Sequence, residues 1–187
     1  MVYTRVAQEN LYKLFHPRPV YIIAAGTPEK HSFMAIAWLS PLSEDPPRIM
    51  AAFGKESFTY QLIREHGVFS VNILDVKEYE FIFKAGTVSG KDVDKEKLLG
   101  AKLVYTDTGA PRLEKPEPIA WIEAKVFRIL DDVAEDVDLV IADILAAYAK
   151  PKLFNERYGW VLKEARIPLH VSGRVFTTIS GFYMARG

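Results

Sequence analysis

The chain has 187 residues, of which 49% are hydrophobic, and none is cysteine. One core can bury roughly 70% of the surface that an unfolded chain of this length exposes, so we expect a single soluble globular domain over residues 1–187. The 24 basic residues balance the 24 acidic ones, which argues against a nucleic-acid or membrane partner, and the lack of cysteine excludes disulfides, thiolate catalysis and cysteine-ligated metal centres.

The first third of the chain is predicted to form a short helix and three strands. Proline restricts its own φ and that of the residue before it, so the Pro17 and Pro19 pair ends a helix predicted over 6–12. Apolar, β-branched and alternating runs predict strands at three places. These strands are expected over 20–25, 32–39 and 48–53, with a proline-containing extended connection over 40–47.

Helix-start and helix-stop residues mark the next elements. Ser57 is a suitable N-cap for a helix that ends at Gly67, where a left-handed stop is expected. A strand over 68–74 follows, and Asp75 is expected to cap a helix over 76–84. A glycine-containing loop over 85–92 comes next.

The second half of the chain is predicted to be mainly extended. Residues 104–118 are rich in turn formers, whereas 119–130 and 167–180 alternate like strands. Residues 138–150 satisfy a helical pattern nearly as well as a strand pattern, and periodicity leaves both open. Six or more strands with two or three helices, in no regular alternation, predict a mainly β protein: an antiparallel barrel with helical additions.

Familiar catalytic motifs are missing from the sequence. Residues 86–92 resemble a phosphate-binding loop, but Asp92 stands where a magnesium-binding hydroxyl is required. Neither a G-x-G-x-x-G turn nor a G-x-S-x-G elbow is found, and the four histidines are scattered, so we expect no metal site and no catalytic side chain. With no apolar run near the roughly 20 residues that cross a bilayer, the expected location is the cytoplasm.

An ordered set of sequence blocks resembles the flavin-reductase-like, FMN-binding split-barrel family, in particular its flavoredoxin-like branch. The blocks cover residues 32–47, 55–63, 67–74 and 86–95, and the resemblance extends over most of 17–130. It implies a six-stranded antiparallel split barrel and a homodimer with FMN near the subunit interface. It also implies that 138–148 is a barrel strand. Departures from the family pattern are Ser32, Ala37 and Glu96, the last in place of a usual Phe.

The resemblance also implies where FMN is held. Ser57 and Thr59 open a predicted helix, where free N–H groups and the helix dipole favour a phosphate. A lysine in the glycine-containing loop adds a positive charge, and the end of the 32–39 strand offers main-chain groups to the flavin ring. The expected cofactor-binding residues are Trp38, Leu39, Ser40, Pro41, Ala52, Phe53, Gly54, Ser57, Thr59, Ser89, Gly90, Lys91 and Lys95.

Two further expectations concern aromatic residues near this site. His170 and Phe176 are candidates to reach the flavin from the C-terminal strand of either subunit. The Trp38 side chain itself is expected to pack in the core, because a tryptophan within an apolar strand is usually buried.

The expected function is an oxidoreductase that passes hydride or electrons from NAD(P)H through FMN to a flavin, ferric or protein acceptor. The chemistry then resides on the flavin, which agrees with the absence of a catalytic side chain. One alternative is a flavoredoxin-like electron carrier without a nicotinamide site of its own. Another is a dimeric barrel that has lost its flavin, which the departures at Ser32 and Ala37 favour.

Overall fold

The computed structural model describes residues 3–181 and 183. Its strands are β1 (Arg18–Pro19), β2 (Tyr21–Gly26), β3 (His31–Ile36), β4 (Leu39–Glu44), β5 (Pro47–Gly54), β6 (Val68–Ile73), β7 (Lys102–Tyr105), β8 (Pro111–Lys115), β9 (Ala120–Leu130), β10 (Val137–Ala149), β11 (Phe154–Asn155), β12 (Gly159–Trp160), β13 (Leu169–Ser172) and β14 (Val175–Thr177). The α-helices are α1 (Phe58–His66), α2 (Tyr79–Thr87) and α3 (Lys95–Leu99), and 3-10 helices cover Gln8–Phe15 and Val76–Glu78. None of the described helices is long and apolar enough to span a bilayer.

A seven-stranded antiparallel sheet forms the body of the protein, in the order β3-β2-β6-β9-β10-β5-β4. Its two edge strands, β3 and β4, are consecutive in the chain and are joined by residues 37 and 38. The sheet is therefore open between two strands that follow each other directly. This confirms the predicted mainly β, antiparallel fold with helical additions, with seven strands in the sheet rather than six.

The two faces of the sheet bury separate apolar clusters, because successive side chains of a strand point to opposite faces. On one face, Ile23 and Phe53 pack with Tyr60 and Leu62 of α1. On the other face, Ile22, Phe33 and Leu113 are buried together with residues of α2, including Ile82. The edge strand β3 consequently lies between α1 and α2.

The residues that the sequence predicts to begin and end α1 do so in the structure. The Ser57 side chain accepts a hydrogen bond from the Tyr60 N–H, and Gly67 ends the helix with a φ of 71°. Asp75 caps as predicted, but the residues after it first form the 3-10 turn and then α2, which begins later than predicted. The N-terminal helix is a 3-10 helix shifted toward the C-terminus of the predicted range.

Three of the predicted ranges are wrong, because in each of them the structure contains part of a β-hairpin that the sequence did not predict. Residues 40–47, predicted as a connection, contain β4, which pairs with β5. The turn-rich range 104–118 holds the end of β7 and all of β8, which pair as a hairpin. The range 167–180 is not one strand but the β13–β14 hairpin, which turns at Gly173 with a φ of 52°. The ambiguous range 138–150 is strand β10, as the family resemblance implied, because it pairs with β9 on one side and β5 on the other.

Candidate cofactor and substrate site

Two cavities lie along consecutive parts of edge strand β3. The first, of about 430 Å³, is lined by residues 29–33 at the start of the strand, by Phe58 of α1 and by residues 90–96. The second, of about 310 Å³, is lined by residues 35–38 at its end, by α2 and by both ends of the chain. Six residues of extended strand cover roughly 20 Å, so the two cavities together offer room for an elongated ligand.

The open edge of β3 presents main-chain groups toward these cavities. The Phe33 carbonyl faces outward, since it accepts a hydrogen bond from Lys95 Nζ at 2.7 Å. In an antiparallel edge strand, alternate residues direct both N–H and C=O away from the sheet. The N–H of Phe33 and both main-chain groups of Ala35 therefore lie on the open side and offer donors and an acceptor to a ligand.

Hydroxyl groups gather where α1 begins, beside Ser32 and Phe58 of the first cavity; Ser57 and Thr59 do not themselves line that cavity, and Thr59 is buried. Ser57 Oγ donates to the sulfur of Met34 at 3.0 Å, and Thr59 Oγ1 donates to Ser32 Oγ at 3.1 Å. Gly90 approaches the same serine so closely that a β-carbon there would lie 2.3 Å from Ser32 Oγ. The structure thus brings Thr59 and Gly90 together at Ser32, one of the positions that departs from the family pattern, whereas Ser57 contacts Met34 of the same strand.

Hydrogen bonds to Ser89 hold the loop over 88–94 in its conformation. Its hydroxyl accepts from the Lys91 N–H at 3.1 Å, and its carbonyl accepts from the N–H groups of Asp92 and Val93, each at 3.2 Å. The Lys91 side chain is exposed, and it forms no ion pair with any described residue. Lys91 is therefore a cation that is free to meet an anionic ligand.

Lys95 has a different position from the one its predicted contact with FMN requires. Its side chain is only 5% exposed, and its ammonium donates to the carbonyls of Phe33 at 2.7 Å and Ala85 at 2.9 Å. Burial lowers the pKa of Lys95 to about 8. The residue lines the first cavity, but its ammonium joins β3 to α2 and shapes the groove.

Glu96 replaces the usual aromatic residue of the family with a structural carboxylate. One of its oxygens lies 2.7 Å from His31 Nε2, and the other accepts from the Leu103 N–H at 2.6 Å. Glu96 therefore ties the start of α3 to β3 and β7, at the rim of the first cavity.

The predicted site residues over 38–41 and 52–54 include both exposed and buried side chains. Trp38 is 41% exposed, so the expectation that it packs in the core is wrong; it lines the second cavity. Its carbonyl accepts from the Ala52 N–H at 2.9 Å. Phe53 is fully buried and stacks on Tyr60, with ring centroids 5.6 Å apart, so its side chain belongs to the core.

The remaining β4 and β5 positions offer main chain or small side chains. Gly54 is exposed, and its carbonyl accepts from the Ser57 N–H at 3.0 Å. Ser40 Oγ donates to the carbonyl of Pro41, and Leu39 packs against the core. Of all the predicted site residues, those that line the two cavities are Trp38, Gly90, Lys91 and Lys95.

Aromatic and histidine side chains form the wall of the second cavity. His170 and Phe176 line this cavity together with Trp38; their predicted contact with the flavin stays a prediction. Tyr12 and His16 were not predicted to belong to the site. They arrive there because β1 pairs with β13, with Arg18 opposite His170, a pairing for which the sequence carries no local signal.

Known proteins resemble this chain in both sequence and fold. It is 27% identical to protein YddH of Escherichia coli (strain K12) over 128 residues, 68% of this chain and 67% of that protein. It is 28% identical to the ferric-chelate reductase (NAD(P)H) of Archaeoglobus fulgidus over 124 residues, 66% and 70% of the two chains. The chain spans about half the length of two other relatives, 53% and 51%.

Solved structures share the fold over almost the whole chain. An FMN-binding protein from Thermus thermophilus, with bound 1-cyclohex-2-enone, has a TM-score of 0.84 at 20% identity and covers 100% of this chain and 99% of its own. Flavoredoxin from Methanosarcina acetivorans has a TM-score of 0.84 at 23% identity, with 99% and 95% covered. The model of the flavin reductase like domain matches residues 13–179. The chain therefore belongs to the flavin reductase-like domain family, whose FMN-binding members share its fold.

Proposed function

We propose that the protein is an FMN-dependent oxidoreductase that holds the flavin along the open edge of β3. The observation that carries this proposal is the order of features on that edge. A cluster of hydroxyl groups at the start of α1 comes first, free main-chain groups follow, and a cavity with aromatic walls comes last. FMN has the same order of parts: a phosphate, a polar ribityl chain and a flat ring.

The residues at the first cavity suit the phosphate. The first turn of α1 has N–H groups without helical partners, and the positive end of the helix dipole favours an anion. Ser57 caps this turn, Lys91 adds one charge, and Gly90 allows the loop main chain to approach closely, whereas Thr59 is 1% exposed and would act through its hydrogen bond to Ser32. Acidic residues also line this cavity, so we attribute phosphate binding to the helix terminus and Lys91 rather than to a basic surface.

The end of β3 and the start of β4 suit the polar rim of the ring. The main-chain groups of Ala35 and of residues 38–41 lie there, and main-chain recognition does not require the side chains that relatives carry. Such recognition accounts for Ala37. The residues of this chain then bind and orient the cofactor, which supplies hydride and electron transfer when bound.

The electron donor and the oligomeric state belong to the same proposal. We propose NADH or NADPH as the donor, and a flavin, a ferric compound or a protein as the acceptor; the similarity to a ferric-chelate reductase (NAD(P)H) supports this choice. We also propose a homodimer with the flavin near the interface. Large apolar side chains exposed on β9 and β10, namely Phe127, Leu145 and Tyr148, support an interface on those strands.

Visible absorption with a nicotinamide challenge tests this function. The purified protein, incubated with FMN and freed of excess flavin, is expected to keep a flavin spectrum that bleaches when NADH or NADPH is added without oxygen. A bound flavin that stays oxidised with both nucleotides would instead identify a carrier that a partner protein reduces. A protein that stays colourless would contradict both.

A further inference from the structure

A buried carboxylate of β10 lies beside the first turn of α1. Asp138 is only 1% exposed, and it is paired with Phe53 in the neighbouring strand β5. One of its oxygens, Oδ2, accepts a hydrogen bond from the Tyr60 hydroxyl. The other, Oδ1, is enclosed and has no hydrogen-bond partner among the described residues. A buried charge is costly, so the charge of Asp138 has to be compensated by neighbouring cations.

Two cations from α1 and the residues before it face this carboxylate. Lys55 Nζ lies 3.4 Å from Asp138 Oδ1, and Arg64 Nη1 lies 3.8 Å from Oδ2. Lys55 comes two residues before the cap of α1, and Arg64 lies in the last turn of the helix. Together with Tyr60, these residues tie one carboxylate of β10 to three points on or just before α1.

Lys55 also joins the turn between β9 and β10 to the start of α1. Its ammonium donates to the carbonyls of Asp131 at 3.2 Å and Ala134 at 2.9 Å. Its main-chain N–H donates to the Asp136 carbonyl at 3.1 Å. The ammonium is therefore engaged by this turn and by the buried carboxylate.

The first turn of α1 is held from two sides. On one side, Ser57 and Thr59 contact Met34 and Ser32 of β3. On the other side, the Tyr60 hydroxyl reaches β10. Strands β2, β6 and β9 lie between β3 and β10 in the sheet, so these are two separate attachments of the same helix end.

We infer that Asp138 is a positioning residue for the phosphate-binding end of α1. By holding Lys55 and Tyr60, it fixes the direction of the N–H groups in the first turn of the helix. The inference rests on the proposed function, because that function assigns the phosphate of FMN to this helix end. Asp138 lines neither of the two cavities along β3, so it acts on the ligand through the helix.

Asp138→Asn separates positioning from a direct effect of charge, because the two predict changes of opposite sign. The substitution removes a negative charge and keeps the shape of the side chain. If Asp138 acted only through its charge, the substitution would strengthen the binding of the anionic FMN. We expect instead that it weakens FMN binding by about three- to tenfold and changes the binding of riboflavin, which has no phosphate, by less than about twofold.

Asp132→Asn is the matched control. It removes the same charge from an exposed position in the turn before β10, and we expect it to change neither affinity. In Asp138→Asn, an FMN affinity that is unchanged or higher would overturn the inference. So would a loss shared equally by riboflavin, because a general loss of stability does not distinguish the two flavins.

Amide hydrogen exchange in the flavin-free protein tests the positioning without any ligand. The N–H groups of Tyr60 and Gln61 bond to the side chain and the carbonyl of Ser57, so their exchange reports on the first turn of α1. We expect Asp138→Asn to speed this exchange by about threefold or more and to leave that of the Gly67 N–H, at the other end of the helix, unchanged. Equal acceleration at both ends, or none at the first turn, would overturn the inference.

The two measurements keep this inference apart from the proposed function. Faster exchange in the first turn of a protein that binds no FMN would contradict the proposed function and support the attachment of α1 by Asp138. Tight FMN binding by the wild type, with unchanged affinity and exchange in Asp138→Asn, would overturn the inference and leave the proposed function standing.

Discussion

Gly90 lies directly on the buried side chain of Ser32. A β-carbon at Gly90 would lie 2.3 Å from Ser32 Oγ and 3.1 Å from a ring carbon of Phe58. Ser32 is only 2% exposed and is held by the Thr59 hydroxyl, so it has little room to withdraw. The loop that carries Lys91 is therefore positioned by the absence of a side chain at one residue.

Gly90→Ala is expected to displace this loop and to lower the affinity for FMN by about tenfold or more, because the loop main chain and Lys91 move away from the start of α1. Flavin fluorescence titration measures the effect. Gly181→Ala serves as the control, since a β-carbon there meets nothing within 4 Å. An unchanged FMN affinity in Gly90→Ala would show that the loop takes no part in binding.

Lys95 is expected to make stability depend on pH in the alkaline range. Its folded pKa of about 8 lies below its ordinary value of 10.5, so the unfolded chain binds more protons between these two values. The contribution of Lys95 therefore rises as pH increases from 8 to 10.5, and it is lost as pH falls back through 8. The neutral amine keeps two N–H groups, enough for the carbonyls of Phe33 and Ala85.

Urea unfolding at several pH values measures this dependence. The difference in unfolding free energy between the wild type and Lys95→Met is expected to grow in favour of the wild type from pH 8 to pH 10.5. Lys163→Met removes an exposed lysine and is expected to show no such trend. A difference that is independent of pH would mean that the Lys95 ammonium is not desolvated.

Tyr60→Phe is expected to destabilise the core by about 1–3 kcal/mol, because it leaves a buried carboxylate without its hydroxyl donor. The Tyr60 hydroxyl donates to Asp138, and both residues are 1% exposed. Burial and the Asp138 carboxylate raise the pKa of Tyr60, which keeps the hydroxyl protonated as a donor.

Thermal unfolding measures the stability of Tyr60→Phe, and Tyr105→Phe is the comparison variant. Its hydroxyl donates to the neutral carbonyl of Thr27 at 2.6 Å in a less enclosed place, so we expect a smaller loss, about 0.5–1.5 kcal/mol. Equal losses of stability in the two variants would show that removing the hydroxyl donor from the buried Asp138 carboxylate costs no more than removing one from a neutral carbonyl.

Local chemistry explains which elements were predictable. Ser57 and Gly67 act on their own helix, and the structure confirms both. The β7–β8 hairpin was missed because distant groups hold it: Ser70 donates to the Pro111 carbonyl, and the Asn72 side chain accepts from the Leu113 N–H. For β10, periodicity was ambiguous, and pairing with two distant strands decides the conformation.

The same distinction applies to the site. Ser57 and Thr59 were proposed from the helix start, whereas the contacts of Ser57 with Met34 and of Thr59 with Ser32 depend on how α1 packs on β3. Tyr12 and His16 reach the second cavity through a pairing between the two ends of the chain, which no short pattern encodes. Lys95 was predicted to bind FMN, but sequence could not show that two carbonyls already hold its ammonium.

In the proposed complex, α1 and its cap hold the phosphate of FMN. Ser57→Asp tests it, because aspartate caps a helix as well as serine does but places a negative charge where the phosphate would lie. Ser180→Asp adds the same charge at an exposed position and is the control.

The decisive measurement is the dissociation constant of FMN and of riboflavin, which lacks the phosphate, for the wild type and Ser57→Asp. We predict that Ser57→Asp weakens FMN binding by tenfold or more and changes riboflavin binding by less than about threefold, while Ser180→Asp changes neither. An FMN affinity that is unaffected by Ser57→Asp, or a loss shared equally by riboflavin, would contradict the placement of the phosphate at α1.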